Sequence, residues 1–241
     1  FQDWKQSCSF RFGENMTVKL VSYSQQPVGC RCEGTSLQDM VAYCARVSNP
    51  SNQNNTETNE KLIRYLVNNK HWSPFEMVSV CLEIHTTRDI ARQILRHRSF
   101  SFQEFSQRYA DPVKDLSFIP KEARLQDTKN RQNSLEITSE NQENIQLKED
   151  WETFQQQVAN LAKETYKWAI QHGIAKEQAR SVLPEGMTES KLYMNGTLRS
   201  WIHYIELRSG NGTQKEHREI AIDCSNAIEP VFPMIKQFVQ Q

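Results

Sequence analysis

The sequence lacks the features that mark several large classes of protein. Its 29 basic and 29 acidic residues cancel, whereas a dedicated nucleic-acid-binding protein normally carries a basic excess. No apolar run approaches the ~20 residues needed to span a bilayer, and the first residues do not show the basic-then-apolar pattern of a secretory signal. We therefore expect a cytoplasmic protein that uses neither a membrane nor a nucleic acid as partner. Its 241 residues suit a single domain, 1–241, with a sizeable core.

Cysteine and histidine are present, but not in the spacings that bind metal. The six cysteines are scattered, and Cys30 and Cys32 form the only close pair, whereas a structural zinc site usually needs two such pairs. The six histidines show no H-x-x-x-H or H-x-H spacing. We therefore predict ordinary thiols in a reducing compartment and no metal site. The cysteines are Cys8, Cys30, Cys32, Cys44, Cys81 and Cys224.

A glycine-rich phosphate loop is also missing. The chain contains neither G-x-G-x-x-G nor a Walker A pattern, which are the two common backbone cradles for phosphate. Any bound phosphate would therefore be held by arginines and hydroxyls.

Hydrophobic periodicity indicates a mixture of helices and strands. Val78, Val80, Leu82 and Ile84 alternate with polar residues, which is typical of a half-buried strand. Residues 111–150 are polar and broken by prolines, so we expect an irregular excursion there. The predicted strands are 16–24, 77–85 and 188–196; the predicted helices are 36–48 with a Ser36 cap, 61–69, 86–98, 151–173, 197–208 and one that starts with a capping box from Thr213 to Glu216.

The segment 96–110, RHRSFSFQEFSQRYA, concentrates cations and aromatics. One interpretation is a basic helix end, which the helix dipole favours. The three arginines, however, stand among aromatic residues, and a guanidinium offers planar, bidentate donors to phosphate or to a carbonyl-rich ring. The segment therefore favours a site for a flat, anionic ligand such as a nucleotide or a flavin.

A second group lies on the predicted helix 197–208. Arg199 and His203 are one turn apart and share a face, and Arg208 stands at the helix end. A solvated polar face is the common explanation of such spacing. We therefore assign these residues to a binding site only if they contact the same ligand as the segment 96–110.

The residues of 96–110 match a family signature. Arg96-His97-Arg98, seven intervening residues and Ser106 fit the R-H-R-x7-S signature, and the chain is identified by it as resembling the flavin-dependent thymidylate synthases. Gln103 replaces the usual Asn of the longer signature. The segments HWSPFE, ARSVLP and LRSWIHYIELRSGNGTQKEHRE resemble further blocks of the family. The longer signature matches at Arg96, His97, Arg98, Ser101, Glu104, Ser106, Arg108 and Tyr109.

The resemblance implies a fold, a reaction and an assembly. It implies an α+β fold with a twisted, mainly antiparallel sheet and flanking helices, not a Rossmann sheet. It implies methylation of dUMP to dTMP with 5,10-methylenetetrahydrofolate as carbon donor and NADPH-reduced FAD as hydride carrier. No cysteine nucleophile is required. Members of the family are homotetramers whose active sites are shared between chains.

The resemblance also assigns roles to residues. Arg208 is the expected catalytic residue, because a guanidinium aimed at the uracil stabilises charge on N3 and the carbonyl oxygens. The expected flavin-binding residues are Arg96, His97, Arg98, Glu104, His71, Ser73, Glu76, Thr197, Leu198, Arg199, His203 and Ser48. The expected dUMP-binding residues are Gln93, Arg96, Glu104, Phe105, Ser106, Gln107, Arg108, Arg180 and Arg208.

Two alternatives stay open on the sequence. One is a nucleotide- or RNA-binding module that uses the segment 96–110 as a stacking platform, although the neutral net charge weighs against it. The other is a flavin-binding member of the family that has lost methylation, which the change at Gln103 leaves possible.

Overall fold

The computed structural model describes residues 17–27, 29, 36–115, 117–139 and 141–240. The cysteines at 8, 30 and 32 and the start of the first predicted strand at Met16 lie outside the described residues. The described cysteines Cys44, Cys81 and Cys224 form no disulfide within the described part of the chain. Among the described residues, no helix combines the length and the apolarity needed to cross a bilayer.

Helices and strands are interspersed along the described part of the chain. The strands are β1 (Thr17–Tyr23), β2 (Ser79–Thr87), β3 (Phe100–Glu104), β4 (Arg124–Gln126), β5 (Ser134–Glu136) and β6 (Glu189–Thr197). The α-helices are α1 (Leu37–Ala45), α2 (Asn59–Asn68), α3 (Arg88–Ile94), α4 (Pro112–Asp115), α5 (Gln142–Gln171), α6 (Lys176–Ala179), α7 (Leu198–Arg208) and α8 (Lys215–Ile228). Short 3-10 helices cover Pro50–Asn52, Ser73–Glu76, Arg180–Val182 and Pro233–Phe238.

The main sheet has four strands in the order β1-β2-β6-β3. Backbone bonds at the strand ends give the directions: Ser24 N–H donates to the Ser79 carbonyl, Leu198 to Val78 and Phe105 to Lys191. Each bond joins the end of one strand to the start of its neighbour, so the neighbouring strands are antiparallel. The fold is therefore the expected α+β arrangement, and the parallel Rossmann sheet is excluded.

The chain divides into two compact units. One unit contains His85–Arg92 and Glu104–Lys191, and the other contains Val18–Ile84, Gln93–Gln103 and Leu192–Gln241. We call them the α5 unit and the α7 unit after their central helices.

The core of the α7 unit is rich in aromatic residues. Trp201 is fully buried, and its indole N–H donates to the Val80 carbonyl across 2.9 Å. Phe100 packs edge-on against Trp201 with ring centroids 4.8 Å apart, and a side chain at Gly196 would collide with the Phe100 ring. Phe75 packs against Phe232 in the same way. These contacts fix α7 and the turn before β3, which together carry several of the expected site residues.

The core of the α5 unit is smaller. Tyr166, Ala169 and Ala179 are buried together, and Ile170 and Leu183 pack against them. This cluster holds the C-terminal end of α5 against α6 and the 3-10 turn that follows it, where Arg180 stands.

Several predicted elements are confirmed. In β2 the burial alternates as predicted, with Val80, Leu82 and Ile84 buried. Ser36 caps α1 and forms a capping box with Asp39. The helix predicted to end at Gly173 ends at Gln171 with His172 as its C-cap, and Gly173 follows with a φ of 78°, as expected of the residue after a helix C-cap.

Three predictions of secondary structure are wrong. The helix predicted over 86–98 occupies only Arg88–Ile94, so Thr86 and Thr87 belong to β2 and the segment 95–99 is a turn. The region 111–150 is not irregular, because it contains α4, the β4–β5 hairpin and the first turns of α5, which Asn141 caps. The capping box from Thr213 to Glu216 does not form; α8 begins at Lys215 without a side-chain cap.

Candidate active site

Arg208 and His97 are in direct contact within the α7 unit. Arg208 is the last residue of α7, and His97 lies in the turn between α3 and β3. The Nε atom of Arg208 donates to Nε2 of His97 across 3.0 Å. The two Nη atoms of Arg208 make no hydrogen bond within the residues that the structure describes. The contact therefore fixes the guanidinium through Nε and leaves the two Nη atoms available to a ligand.

Burial, aided by neighbouring positive charges, keeps His97 neutral. Burial lowers the pKa of His97 from 6.5 to about 4, and the positive charges of Arg208 and Arg96 act in the same direction. A neutral ring that accepts at Nε2 carries its proton on Nδ1. Arg208 is therefore the charged partner of this pair at neutral pH.

A ring contact and then a series of hydrogen bonds connect this pair to Gln93. The His97 ring packs edge-on against Tyr204, with centroids 4.9 Å apart. The Tyr204 hydroxyl lies 3.1 Å from Nε2 of His217, and Nδ1 of His217 lies 3.2 Å from Oε1 of Gln93. Gln93 in turn donates from Nε2 to Gln214 across 2.8 Å. The amide of Gln93, an expected dUMP contact, is thus held from two sides.

Burial also determines the protonation of this series. It lowers the pKa of His217 from 6.5 to about 3, with further contributions from Arg208 and His97. It raises the pKa of Tyr204 well above its ordinary value. A neutral His217 has one donor and one acceptor nitrogen, so it can donate to Gln93 while accepting from Tyr204.

An open cavity of about 520 Å³ lies on the α7 unit. Its lining includes an imidazole, a hydroxyl, a guanidinium and an indole, which are groups suited to holding phosphate oxygens and a flat ring. Lys70 adds a further cation and has a φ of 57°, a conformation uncommon for a residue other than glycine. The lining residues are Ala45, Leu66, Lys70, His71, Trp72, Ser73, Pro74 and Arg199.

Contacts beside the cavity orient Arg199 and His203. Nη1 of Arg199 and Oε1 of Glu76 are 2.6 Å apart. The His203 ring, one turn after Arg199 on α7, packs edge-on against Trp72 with centroids 4.7 Å apart. Burial lowers the pKa of His203, and the charge of Arg199 adds to this effect. Five of the expected flavin residues, namely His71, Ser73, Glu76, Arg199 and His203, are therefore brought together.

Other expected residues of the α7 unit stand apart from this cavity lining. Thr197 caps α7 by accepting from the Ser200 N–H, and Leu198 is fully buried in the core. Ser48 is exposed in the turn after α1, three residues beyond Ala45 of the lining. Arg96 and Arg98 are exposed on either side of His97.

The α5 unit holds the expected residue Glu104 in a polar group. Glu104 accepts a hydrogen bond of 2.8 Å from Ser190 and lies 3.6 Å from the guanidinium of Arg88. Burial lowers the pKa of Arg88, while Glu104 opposes that effect and the charge of Arg180 adds to it. Arg88 is thus close enough to both expected site residues to interact with their charges.

The loop after β3 contains an unsatisfied donor. Gln107 is buried, with 4% of its surface exposed, and its Nε2 atom has no hydrogen-bond partner within the described chain. Ser106 beside it accepts a bond from the Arg108 N–H, and the Arg108 side chain is exposed. Because buried polar atoms are nearly always paired, the unpaired donor of Gln107 makes it a candidate ligand contact. Phe105 is half-buried, and Arg180 is half-buried with its Nε donating to the Glu177 carbonyl.

The comparison with known proteins identifies the family. The model of the family "Thymidylate synthase complementing protein" matches residues 33–234. The chain belongs to the flavin-dependent thymidylate synthase family. It is similar to the probable flavin-dependent thymidylate synthase of Paramecium bursaria Chlorella virus 1, with 46% identity over 221 residues that cover 91% of this chain and 97% of the relative. The flavin-dependent thymidylate synthase of Synechocystis sp. is 45% identical over 220 residues, with the same coverage.

A solved structure of similar fold supports the same family. The UMP/dUMP methylase PolB from Streptomyces cacaoi, bound with 5-Br dUMP, has a TM-score of 0.75 and 27% identity, and the match covers 95% of each chain. The same methylase bound with 5-Br UMP has a TM-score of 0.74 and 26% identity.

Some residues of the site are not found by reasoning from the sequence. Tyr204 precedes Arg208 by one helical turn, so helical spacing was an available signal. His217, Gln214, Arg88 and Ser190 are distant in sequence from the residues they contact, and no local pattern points to them.

Proposed function

We propose that this chain is a flavin-dependent thymidylate synthase that methylates dUMP to dTMP. It uses 5,10-methylenetetrahydrofolate as carbon donor and NADPH-reduced FAD as hydride carrier, as its resemblance to the family implies. The observation that carries the proposal is the contact between the Arg208 guanidinium and a neutral His97, two residues that lie in the segments resembling the family. The names of the two relatives and the 5-Br dUMP complex of PolB support it.

Arg208 is the proposed activating residue. For C5 of uracil to attack a methylene carbon, negative charge must build up on N3 and the carbonyl oxygens. A fixed guanidinium stabilises that charge as it develops. The bond to His97 holds Arg208 in one orientation, and the neutral state of His97 avoids a second positive charge beside it.

The flavin is proposed to bind at the α7-unit cavity and, from the family resemblance, to contact Arg96, His97 and Arg98 of the same unit. The cavity fits the group chemically, because Arg199, His71 and Ser73 offer donors to phosphate and Trp72 offers an apolar edge. The Glu76–Arg199 ion pair fixes the arginine. When bound, the flavin supplies the hydride, and the protein supplies position and electrostatics.

The nucleotide is proposed to contact the loop after β3 and Arg180. A guanidinium such as Arg108 suits a phosphate, Ser106 offers a hydroxyl, and the Nε2 atom of Gln107, unpaired within the described residues, offers a donor to a ligand oxygen. Gln93 contributes an amide that His217 and Gln214 orient. We also propose, from the family resemblance, a cytoplasmic homotetramer with active sites shared between chains.

Release of tritium from [5-³H]dUMP in the presence of FAD, NADPH and methylenetetrahydrofolate tests the function. We expect release by the wild type, and loss of release in Arg208→Ala with the flavin spectrum retained. Arg64→Ala is the control, because Arg64 is exposed and pairs with Glu60 on α2. A flavin spectrum without tritium release in the wild type would identify a member that has lost methylation, and normal turnover in Arg208→Ala would remove the catalytic role of that residue.

A further inference from the structure

Helix α2 ends beside the α7-unit cavity in a Schellman motif, a common way of closing a helix. Asn69 is the C-cap of α2. The Lys70 N–H donates to the Val67 carbonyl across 3.0 Å, and the next N–H, that of His71, donates to the Leu66 carbonyl across 2.8 Å. These two bonds define the motif, which requires a left-handed backbone at the residue after the C-cap. Lys70 occupies that position.

Lysine is an unusual residue at this point of a helix. Lys70 has a φ of 57°, and it is the one residue other than glycine with a positive φ in the described part of the chain. A side chain makes this conformation less favourable, so glycine normally occupies the position. Helix α5 ends in the same motif, and there the position holds Gly173, with a φ of 78°. Lys70 therefore makes the folded chain less stable than a glycine would.

The helix dipole does not account for a lysine at this position. A cation at the C-terminus of a helix is stabilising, but the last turn of α2 contains no basic residue. A lysine in place of Asn68 or Asn69 would interact with the dipole at a negative φ, without the cost of a left-handed backbone. The presence of the cation at residue 70 therefore indicates a role other than closing the helix.

The side chain of Lys70 lines the α7-unit cavity. The lining contains two cations, Lys70 and Arg199, and no acid. Arg199 is paired with Glu76 at 2.6 Å, whereas Lys70 forms no ion pair and no side-chain hydrogen bond with the residues that the structure describes. Lys70 is therefore the positive charge of this cavity that no carboxylate of the described residues balances.

The neighbours of Lys70 suit a phosphate that lies next to a flat ring. Ser73 contributes a hydroxyl, His71 an imidazole and Trp72 an indole to the same cavity. The end of α2 also positions His71, whose ring packs edge-on against Tyr65 with centroids 6.0 Å apart. An ammonium is a compact charge that binds phosphate oxygens. The volume of about 520 Å³ lies within the range of cofactor sites.

We propose that Lys70 contacts a phosphate group of a dinucleotide bound in this cavity. Lysine is kept where glycine would be more stable, and the contact offsets that cost when the dinucleotide is bound. The inference rests on the proposed function, which brings two phosphate-bearing dinucleotides to the chain, FAD and NADPH. It adds a binding residue that the family resemblance does not assign.

Two variants of Lys70 separate its effect on stability from its effect on binding. Lys70→Gly removes the ammonium and the unfavourable backbone, so we expect its thermal midpoint without dinucleotide to rise by about 2–4 °C. Its binding of FAD or of NADPH is expected to weaken about five- to tenfold. Lys70→Gln keeps a side chain on the left-handed backbone and loses the charge, so it is expected to show the weaker binding without the gain in stability.

Two matched controls isolate the charge and the backbone. Lys61→Gln removes an exposed positive charge from the other end of α2 and is expected to bind FAD and NADPH as the wild type does. Gly173→Lys places a lysine at the equivalent position of α5, where a Cβ meets nothing within 4 Å. It is expected to lower the thermal midpoint by about 2–4 °C and to leave the binding of both dinucleotides unchanged.

Separate titrations identify which dinucleotide Lys70 contacts. FAD is titrated into flavin-free protein and followed by flavin fluorescence, and NADPH and NADH are compared by their KM for reduction of the flavin. Weaker FAD binding in both Lys70 variants would identify the flavin pyrophosphate. A higher KM for NADPH would identify the nicotinamide dinucleotide, with its 2′-phosphate as the contact if the KM for NADH stays unchanged.

The outcomes also separate this inference from the proposed function. If the wild type binds FAD and NADPH and both Lys70 variants bind them equally well, the inference is overturned and the proposed enzyme stands. A Lys70→Gly variant less stable than the wild type would overturn it too, because the lysine would then serve the fold. A wild type that binds neither dinucleotide would refute the proposed function together with the role of Lys70.

Discussion

Arg208 donates from Nε to Nε2 of His97 across 3.0 Å, so the histidine must be neutral for the contact to exist. The pKa of His97 is lowered to about 4 from 6.5, first by burial and then by Arg208 and Arg96. Because burial lowers the pKa of His97, the contact between Arg208 and His97 depends on pH.

The first prediction concerns stability at acidic pH. Between pH 6.5 and about 4 the unfolded chain takes up a proton at His97 that the folded chain does not, so the free energy of unfolding decreases as the pH falls through this window. His97→Gln keeps an acceptor for Arg208 but does not titrate. Urea denaturation at several pH values is expected to show a smaller loss of stability in the variant. An identical loss in both proteins would contradict the assignment.

The second prediction concerns the orientation of Gln93. His217→Leu removes the bond of 3.2 Å to Gln93, and we expect the KM for dUMP to rise about five- to tenfold, as for the loss of one hydrogen bond, with kcat less affected. His217→Asn offers an amide donor in a similar place and is expected to recover part of the loss.

A double variant of His217 and Gln93 tests whether His217 acts through the amide of Gln93. Because His217 acts through Gln93, adding His217→Leu to Gln93→Ala is expected to raise the KM little beyond Gln93→Ala alone. Fully additive effects would show that His217 does not act by positioning that amide.

The third prediction compares two buried glutamines. Nε2 of Gln107 is unpaired within the described chain, whereas the amide of Gln155 both accepts from and donates to the Lys121 backbone at 2.7 and 2.9 Å. Gln107→Met is therefore expected to raise the free energy of unfolding by about 1 kcal/mol, and Gln155→Met to lower it by about 1–3 kcal/mol.

The affinity of Gln107→Met for dUMP is expected to fall, although its stability is expected to rise. Calorimetric titration with dUMP is expected to show at least about fivefold weaker binding for Gln107→Met, because the ligand loses one donor. A variant of Gln107 that is both less stable and equally able to bind dUMP would show that its amide has a purely structural role.

The fourth prediction concerns the close approach of β6 and Phe100. Gly196→Ala places a methyl group against a ring that Trp201 and Tyr204 confine, and we expect a loss of about 1–3 kcal/mol in the free energy of unfolding. Gly186→Ala is the control, because a Cβ there meets nothing within 4 Å. Equal stability of the two variants in urea denaturation would mean that the ring moves aside without cost.

Reasoning from the sequence succeeded where local periodicity and local chemistry decide the structure. The alternation of β2 follows from a strand with one buried face, and the inward set of α7, including Trp201 and Ile202, follows from helical spacing. The signature from Arg96 to Ser106 identified the family because it is a short, contiguous pattern, and the family model confirmed it.

Tertiary contacts determine the elements for which the prediction from the sequence is wrong. The helical pattern over 86–98 ends at Ile94, where the following turn is held by a bond from Ser200 to the Ser99 carbonyl and by the packing of Phe100 on Trp201. Such packing outweighs the few tenths of a kcal/mol by which residues differ in helix propensity.

The sequence by itself therefore determined the family, the alternating and helical segments, and a set of arginines and histidines suited to a flat anion. Only the tertiary structure decided that Arg208 lies on a neutral His97, that His217 orients Gln93, and that Gln107 is buried without a partner. The physical reason is distance along the chain. Partners more than a hundred residues apart meet only after the core has formed, and burial, which sets their protonation, does not exist in the unfolded sequence.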